Sequence, residues 1–231
     1  MLSSSKMSYN KSLNRNEVII QLLVDSRVVL FNKMRVILFI NLLFCYCGAG
    51  VASTFEDELV QAAINRTGHN VKYDGAYYSI DYPGGDVPAN IGVCTDVLIR
   101  SYRRLGVDLQ KEVHEDILAN FGSYPSKRIW GLSRPDTNID HRRVPNLQVF
   151  FKRKGQELPI TNNASDYKAG DIVTWMLPGN TPHIGIVTDR MGADNERPLI
   201  VHNIGSGPRV EDVLFDFEIT GHYRYAPKKH D

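Results

Sequence analysis

Residues 90–106 read NIGVCTDVLIRSYRRLG, a loop feeding a helix with a cysteine in its first turn. Asn90 and Gly92 give the backbone that precedes a helix, and Asp96 sets negative charge near its positive end. Cys94, Val97, Leu98, Ser101, Tyr102 and Leu105 recur at steps of three and four, so they share one mostly apolar face. Arg100, Arg103 and Arg104 fall off that face near the carboxyl end, where they suit the helix dipole, and Gly106 supplies a stop. Cys94 therefore points inward from a helix start, where peptide N–H groups and the dipole favour a thiolate, the reactive form of a cysteine nucleophile. The plainer reading of the same residue is a small buried hydrophobe, the usual fate of a free cysteine.

Working outward, residues 54–65 predict an amphipathic helix with Phe55, Leu59, Ala62 and Ala63 on its apolar side. Residues 73–88 (YDGAYYSIDYPGGDVP) read as a structured loop with a short strand at 77–80. A second amphipathic helix is expected over 107–120, followed by a long irregular stretch over 124–146. Long loops inside compact domains tend to be functional, and this one carries too many apolar anchors for disorder. Residues 147–152 (LQVFFK) predict a strand ended by Gly155, and 172–176, 183–188 and 199–204 predict three more. Residues 210–225 add a further one. Helices first and an antiparallel meander afterwards argue for an α+β fold.

Composition sets the frame. The chain has 231 residues, 42% hydrophobic and 23% charged, with a net charge of +1. That balance gives no basis for nucleic-acid binding, and no basic run interleaved with aromatics is present. Lys33 and Arg35 precede an apolar run over 36–47, then small residues up to Ala52, with Gly50 and Ala52 at the −3 and −1 positions of a signal-peptidase site. The run is about a dozen residues against the roughly 20 that a membrane-spanning helix needs. The expectation is a leader over 1–52, its signal peptide covering about 33–52, with Met34 as an alternative start. A single domain then follows over 53–231, with no stable membrane span after leader removal and a periplasmic or extracellular location. Cys45 and Cys47 leave with the leader, so Cys94 stands alone in an exported chain, where an odd cysteine implies intermolecular pairing or a working thiol.

The strands offer His183 and His202. If the turn between them centres near Gly192-Ala193, the two histidines face each other on one side of the sheet, and a one-residue slip would offer Asn203 instead. With these residues in hand, the series GVCTDVLIRSYRRLG, AGDIVTW, HIGIV and IVHN resembles the NlpC-type cell-wall cysteine hydrolases, a bacterial branch of the papain-like fold. The resemblance covers 92–106 and 170–205 in the same order. DHRRVPN and HNIG more closely resemble an uncharacterised group of exported bacterial proteins distantly related to those enzymes.

The resemblance implies a papain-like α+β core, its catalytic cysteine at a helix start packed on a small antiparallel sheet. It makes Cys94 the nucleophile on an amide carbonyl, His183 its base, and His202 the group that orients the His183 ring, with Asn203 as the alternative. The Cys94 N–H is then an oxyanion donor, joined by one hydroxyl among Tyr73, Tyr77, Tyr78 and Tyr82. Many enzymes of that family carry Asp before the cysteine and Ser after it; here stand Val93 and Thr95, with Asp96 two residues on, so their free-amine specificity is not carried over. Asp140, His141, Arg142 and Arg143, together with Asp96, are the candidate substrate-binding residues, because guanidinium groups hold stem-peptide carboxylates bidentately. The alternative for 140–143 is a solvated charge run. The expected partner is peptidoglycan or its peptide fragments, with an inhibitor protein of unidentified kind to silence the enzyme, and no cofactor. Two other classes compete: a non-catalytic wall-binding module, and a zinc hydrolase built on Cys94, His183 and His202 with Asp140 or His141 as fourth ligand.

Overall fold

The computed structural model describes residues 53–227; the expected leader over 1–52, with Cys45 and Cys47, lies outside the described residues. Thr54 and Asp57 open the folded chain as a capping box, Thr54 Oγ1 accepting the Asp57 N–H at 3.1 Å and Asp57 Oδ2 accepting the Thr54 N–H at 3.0 Å. They start α1 (Phe55–Arg66). Two short strands, β1 (Lys72–Tyr73) and β2 (Ile91–Gly92), then pair in parallel and bring the tyrosine-rich loop against the lead-in to α2 (Cys94–Arg104). No strand forms at 77–80. That stretch is held by side chains instead, the Ile80 N–H donating to Asn138 Oδ1 at 2.9 Å.

The cysteine helix begins and ends where its residues require. The Val93 N–H donates to Asp96 Oδ2 at 2.7 Å, and beyond Arg104 the chain turns at Gly106 with φ +82°, a conformation that favours glycine. Arg100 departs from the sequence expectation. It is buried, donating to Asp86 at 2.9 Å and to the carbonyls of Ile91, Val87 and Pro88, because the 73–92 loop folds over it and needs its orphan oxygens satisfied.

Helix α3 (Leu109–Asn120) is capped by Asp108, and a short α4 (Ser126–Trp130) and a 3-10 turn (Asp140–Arg142) break up the long irregular stretch. The expected strand at 147–152 is instead part of α5 (Val144–Lys154). Val144, Leu147, Phe150 and Phe151 are buried at helical spacing, Pro145 sits in the first turn, and three basic residues finish the helix. The run VFF carries strand-like residues, yet its burial period is 3.6. Asp116 clips α3 to α5, accepting from Arg153 at 2.7 Å, Tyr124 at 2.7 Å and Lys154 at 3.1 Å.

Six strands form the sheet in the order β3-β8-β4-β5-β6-β7, all antiparallel: β3 (Gln156–Glu157), β4 (Ile172–Leu177), β5 (Thr181–Met191), β6 (Pro198–His202), β7 (Arg209–Glu211) and β8 (Glu218–Arg224). One face packs Ile172, Ile184, Ile186 and Val201 against Leu98, Tyr102 and Phe151 of the helices. The other buries Val173, Trp175, Val187, Ile200 and Leu214 with Tyr167. The α+β reading therefore holds, with helices on one side of an antiparallel sheet. Among the described residues no helix is long and apolar enough to cross a membrane.

The 3-10 turn and the cysteine helix are joined by a buried bidentate ion pair, Arg142 Nε to Asp96 Oδ1 at 2.9 Å and a terminal nitrogen to Oδ2 at 3.0 Å. Asp96→Ala leaves the Arg142 cation buried and unpaired, so chemical denaturation should show a loss of about 3–5 kcal/mol. Acid titration gives a second expectation. Burial pushes Asp116 up, but its hydrogen bonds from Arg153, Tyr124 and Lys154 win and hold its carboxyl at about 2. Its contribution is complete above the unfolded value near 3.8 and is lost as pH falls through about 2. Asp116→Asn should flatten the stability profile in that window.

Candidate active site

Cys94 is the first residue of α2 and only 5% exposed, its side chain packed in the core between helices and sheet. Burial pushes its thiol up to about 12, although the N–H groups of Ile184, Thr95 and Cys94 itself pull the other way and Asp96 adds to the rise. The helix-start N–H groups do favour the thiolate, joined by the Ile184 N–H from the sheet, but desolvation outweighs all three. Three peptide dipoles do not replace the water lost around a thiolate. The Ile184 N–H places the sulfur at the peptide that follows His183.

His183 and His202 come together. His183 Nε2 lies 3.0 Å from His202 Nδ1, with the rings edge-on at 5.2 Å between centroids. The pairing is diagonal, since Ile186 opposes Val201 and Val187 opposes Ile200, with a register shift further along the hairpin. Gly185 makes this approach feasible: a Cβ there would stand 2.6 Å from Ile200 Cγ2 and 3.2 Å from His202 Cβ. Asn203 turns away, its Oδ1 accepting the Gly205 N–H at 2.9 Å.

A residue that sequence reading missed extends the pair. Glu211 on β7 places Oε2 3.0 Å from His202 Nε2, off the line that a hydrogen bond prefers. The signal was present in the alternation of β7, because Val210 packs on the helix side and Glu211 must face the histidines. If His202 carries its proton on Nε2, towards Glu211, its Nδ1 accepts from His183 Nε2–H and His183 Nδ1 is left as a lone-pair acceptor. Burial holds both rings neutral, His183 at about 3 with the His202 ring adding to the depression; the Glu211 carboxylate only partly offsets burial at His202.

The charge run at 140–143 is a wall of the site and not a solvated loop. Arg142 is committed to Asp96 and also donates to the Ala76 and Asp74 carbonyls. Asp140 accepts the Asp136 N–H at 2.6 Å, and burial raises its carboxyl pKa. His141 is buried and held neutral at about 3 by burial, with the Arg142, Arg103 and His114 charges adding to that. Arg142 and Arg143 both border the open cleft, Arg142 as a buried, committed side chain and Arg143 as a half-buried one, its guanidinium 4.0 Å over the Trp130 ring. Asp96, Asp140 and His141 thus support the site and do not line it, because each is buried behind the wall.

The cleft has a volume of about 650 Å³ and is lined by Cys94, Tyr73, Tyr77, Trp130, Arg143 and Pro182 among others. Of the four tyrosines, Tyr78 is bonded to Asp74 and Tyr82 packs on His114, while Tyr77 donates to Asp136. Tyr73 is the one whose hydroxyl feels Cys94; burial and then the sulfur raise it to about 12. The zinc donor set does not converge: the ring nitrogens that would meet at a metal face each other instead, and no metal-holding group of three His, Cys, Asp or Glu exists among the described residues.

Comparison with known proteins finds a family of unknown function and a bacterial relative. The uncharacterized protein YijF of Escherichia coli (strain K12) is 52% identical over 170 residues, 74% of this chain and 82% of that one. Among solved structures, an N-acetylmuramoyl-L-alanine amidase from Bacteroides uniformis ATCC 8492 aligns over 74% of this chain and 99% of its own, with a TM-score of 0.42 and 14% identity, too loose a likeness to carry an argument. Residues 60–225 match the family described as Domain of unknown function (DUF1287), and the chain belongs to that family.

Proposed function

We propose that this protein is an exported cysteine hydrolase that cleaves an amide bond in peptidoglycan stem peptides through a Cys94 thioester. The carrying observation is the ordered line Glu211–His202–His183, which ends at the strand segment against which the Cys94 sulfur rests. The substrate class comes from the NlpC-type resemblance of the sequence, and the location from the expected leader.

In this reading the resting thiol and the His183 imidazole are each neutral, and the backbone of Ile184, next to His183, holds the sulfur. As the carbonyl carbon of the substrate meets sulfur, the thiol proton passes to His183 Nδ1 and the C–S bond forms. The tetrahedral oxyanion is held by the Cys94 N–H, with Tyr73 as a second donor. The C–N bond then breaks as the His183 imidazolium protonates the leaving amine. Water, deprotonated by His183, attacks the thioester and restores the thiol. An amine in place of water gives acyl transfer by the same intermediate. Glu211 fixes the His202 tautomer and steadies the cation on His183 in the transition state.

One observation favours a second reading, a non-catalytic wall-binding module: Cys94 is as buried as an inert core cysteine. The two readings separate cleanly. For the hydrolase, Cys94→Ala abolishes peptide release from purified peptidoglycan, and His183→Ala lowers kcat by about 10²–10⁴-fold. Full activity in either variant sinks it. Glu211→Gln should lower kcat roughly tenfold at unchanged KM, the scale of losing a carboxylate charge beside a ring that becomes cationic in the transition state. The neutral resting pair makes a distinct forecast for alkylation. Iodoacetamide labelling of Cys94 should keep rising with pH through the free-thiol value of about 8.5, without a plateau near pH 6. A plateau there that disappears in His183→Ala would show a preformed thiolate–imidazolium pair.

A further inference from the structure

Arg142 and Arg143 are adjacent and alike in sequence, but the fold uses them differently. Arg142 spends four of its five donors on Asp96 and two carbonyls. Arg143 makes one carboxylate contact, NH1 to Asp140 Oδ1 at 3.3 Å, and lays its plane over Trp130 in the wall of the Cys94 cleft. A guanidinium has five N–H donors, so most of this fork remains available on the cleft side. Stacking on the indole holds the fork in one plane, which lowers the entropy lost when an anion is gripped.

The backbone adds to the same attraction. Arg143 is the N-cap of α5, no side chain caps that helix, and Val144 and Pro145 of its first turn line the cleft. The positive end of the dipole and the arginine therefore meet at one wall. The two acids behind it are already engaged: Asp140 accepts from the Asp136 N–H and from Asn146, and Asp136 accepts from Tyr77 and the Asn138 N–H. The same cleft carries Ile129, Ile139 and Pro182 alongside the polar Tyr77 and Asn180, a mixed lining that suits an amino-acid side chain beside a planar carboxylate.

We propose that Arg143 on Trp130, with the start of α5, is a carboxylate subsite that selects peptides carrying a free carboxylate near the scissile amide. The inference deepens the hydrolase reading and rests on it for the word scissile, but the binding site is testable without turnover. Binding is measured on Cys94→Ala protein with a stem peptide whose carboxylates are free, and with the same peptide as its carboxamides. The free acid should bind at least about tenfold more tightly, the scale of a lost charge-assisted pair. Arg143→Gln should abolish that preference, and Arg143→Lys, which keeps charge but not the stacked fork, should retain only part of it.

Equal affinity for acid and carboxamide overturns the subsite, even if Arg143→Gln fails to fold and even if the wild-type protein cleaves both. Inorganic phosphate that displaces the free acid at concentrations comparable to acetate would be expected of a carboxylate fork; phosphate outcompeting acetate a hundredfold would overturn the assignment to carboxylate. Preference for the free acid, lost in Arg143→Gln, with no cleavage by the wild type, would sustain the subsite while the hydrolase reading fails.

Discussion

The buried pair between Asp96 and Arg142 is the constraint on which the site depends. It binds the first turn of the cysteine helix to the 3-10 turn at 140–142, and through the Arg142 contacts to Asp74 and Ala76 it also fixes the loop that carries the tyrosines. Thr95 closes the same junction by donating to the Arg142 carbonyl at 3.2 Å. Three chain segments far apart in sequence thus share one ion pair. Two charges taken out of water gain little net stability from each other, so the return lies in the register they impose. With it in place, Cys94, Tyr73 and Arg143 surround one cleft.

Desolvation then governs the chemistry. The helix start, the Ile184 N–H and the adjacent strand all favour anionic sulfur, yet burial outweighs them and the thiol rests protonated. The same burial removes the proton from the His183 ring. A buried, protonated thiol is shielded from adventitious oxidation, because the thiolate is the species that oxidants and alkylators meet.

Much of this architecture is legible in the residues. The cysteine helix, the strand at 172–177 and the histidine hairpin follow from period and turn chemistry, and the two histidines meet on one face, though not in the directly opposed register that their spacing suggests. The meeting is diagonal, since the Gly185 approach and the register shift depend on packing that no single strand encodes. Residues 147–151 mislead because Val149, Phe150 and Phe151 are strand-like by type, while their helical state is decided by the neighbours Val144 and Pro145 and by burial of one face. Arg100 and Arg142 look like surface charges in sequence. Their burial depends on carboxylates and carbonyls that arrive from other segments, Asp86 and the 87–91 turn for one and Asp96 for the other. The thiol's direction of shift was equally unreadable, since it depends on how much water the sheet excludes.

Glu211 ends the histidine line on β7, a three-residue strand at the rim of the sheet, paired on one side to β6. Edge strands of that length are the first part of a sheet to open. Loss of that pairing would carry the Glu211 carboxylate away from His202 Nε2 and open that buried nitrogen to proton exchange with solvent. The proton inventory at the heart of the molecule is therefore only as persistent as the hydrogen bonds of its outermost strand.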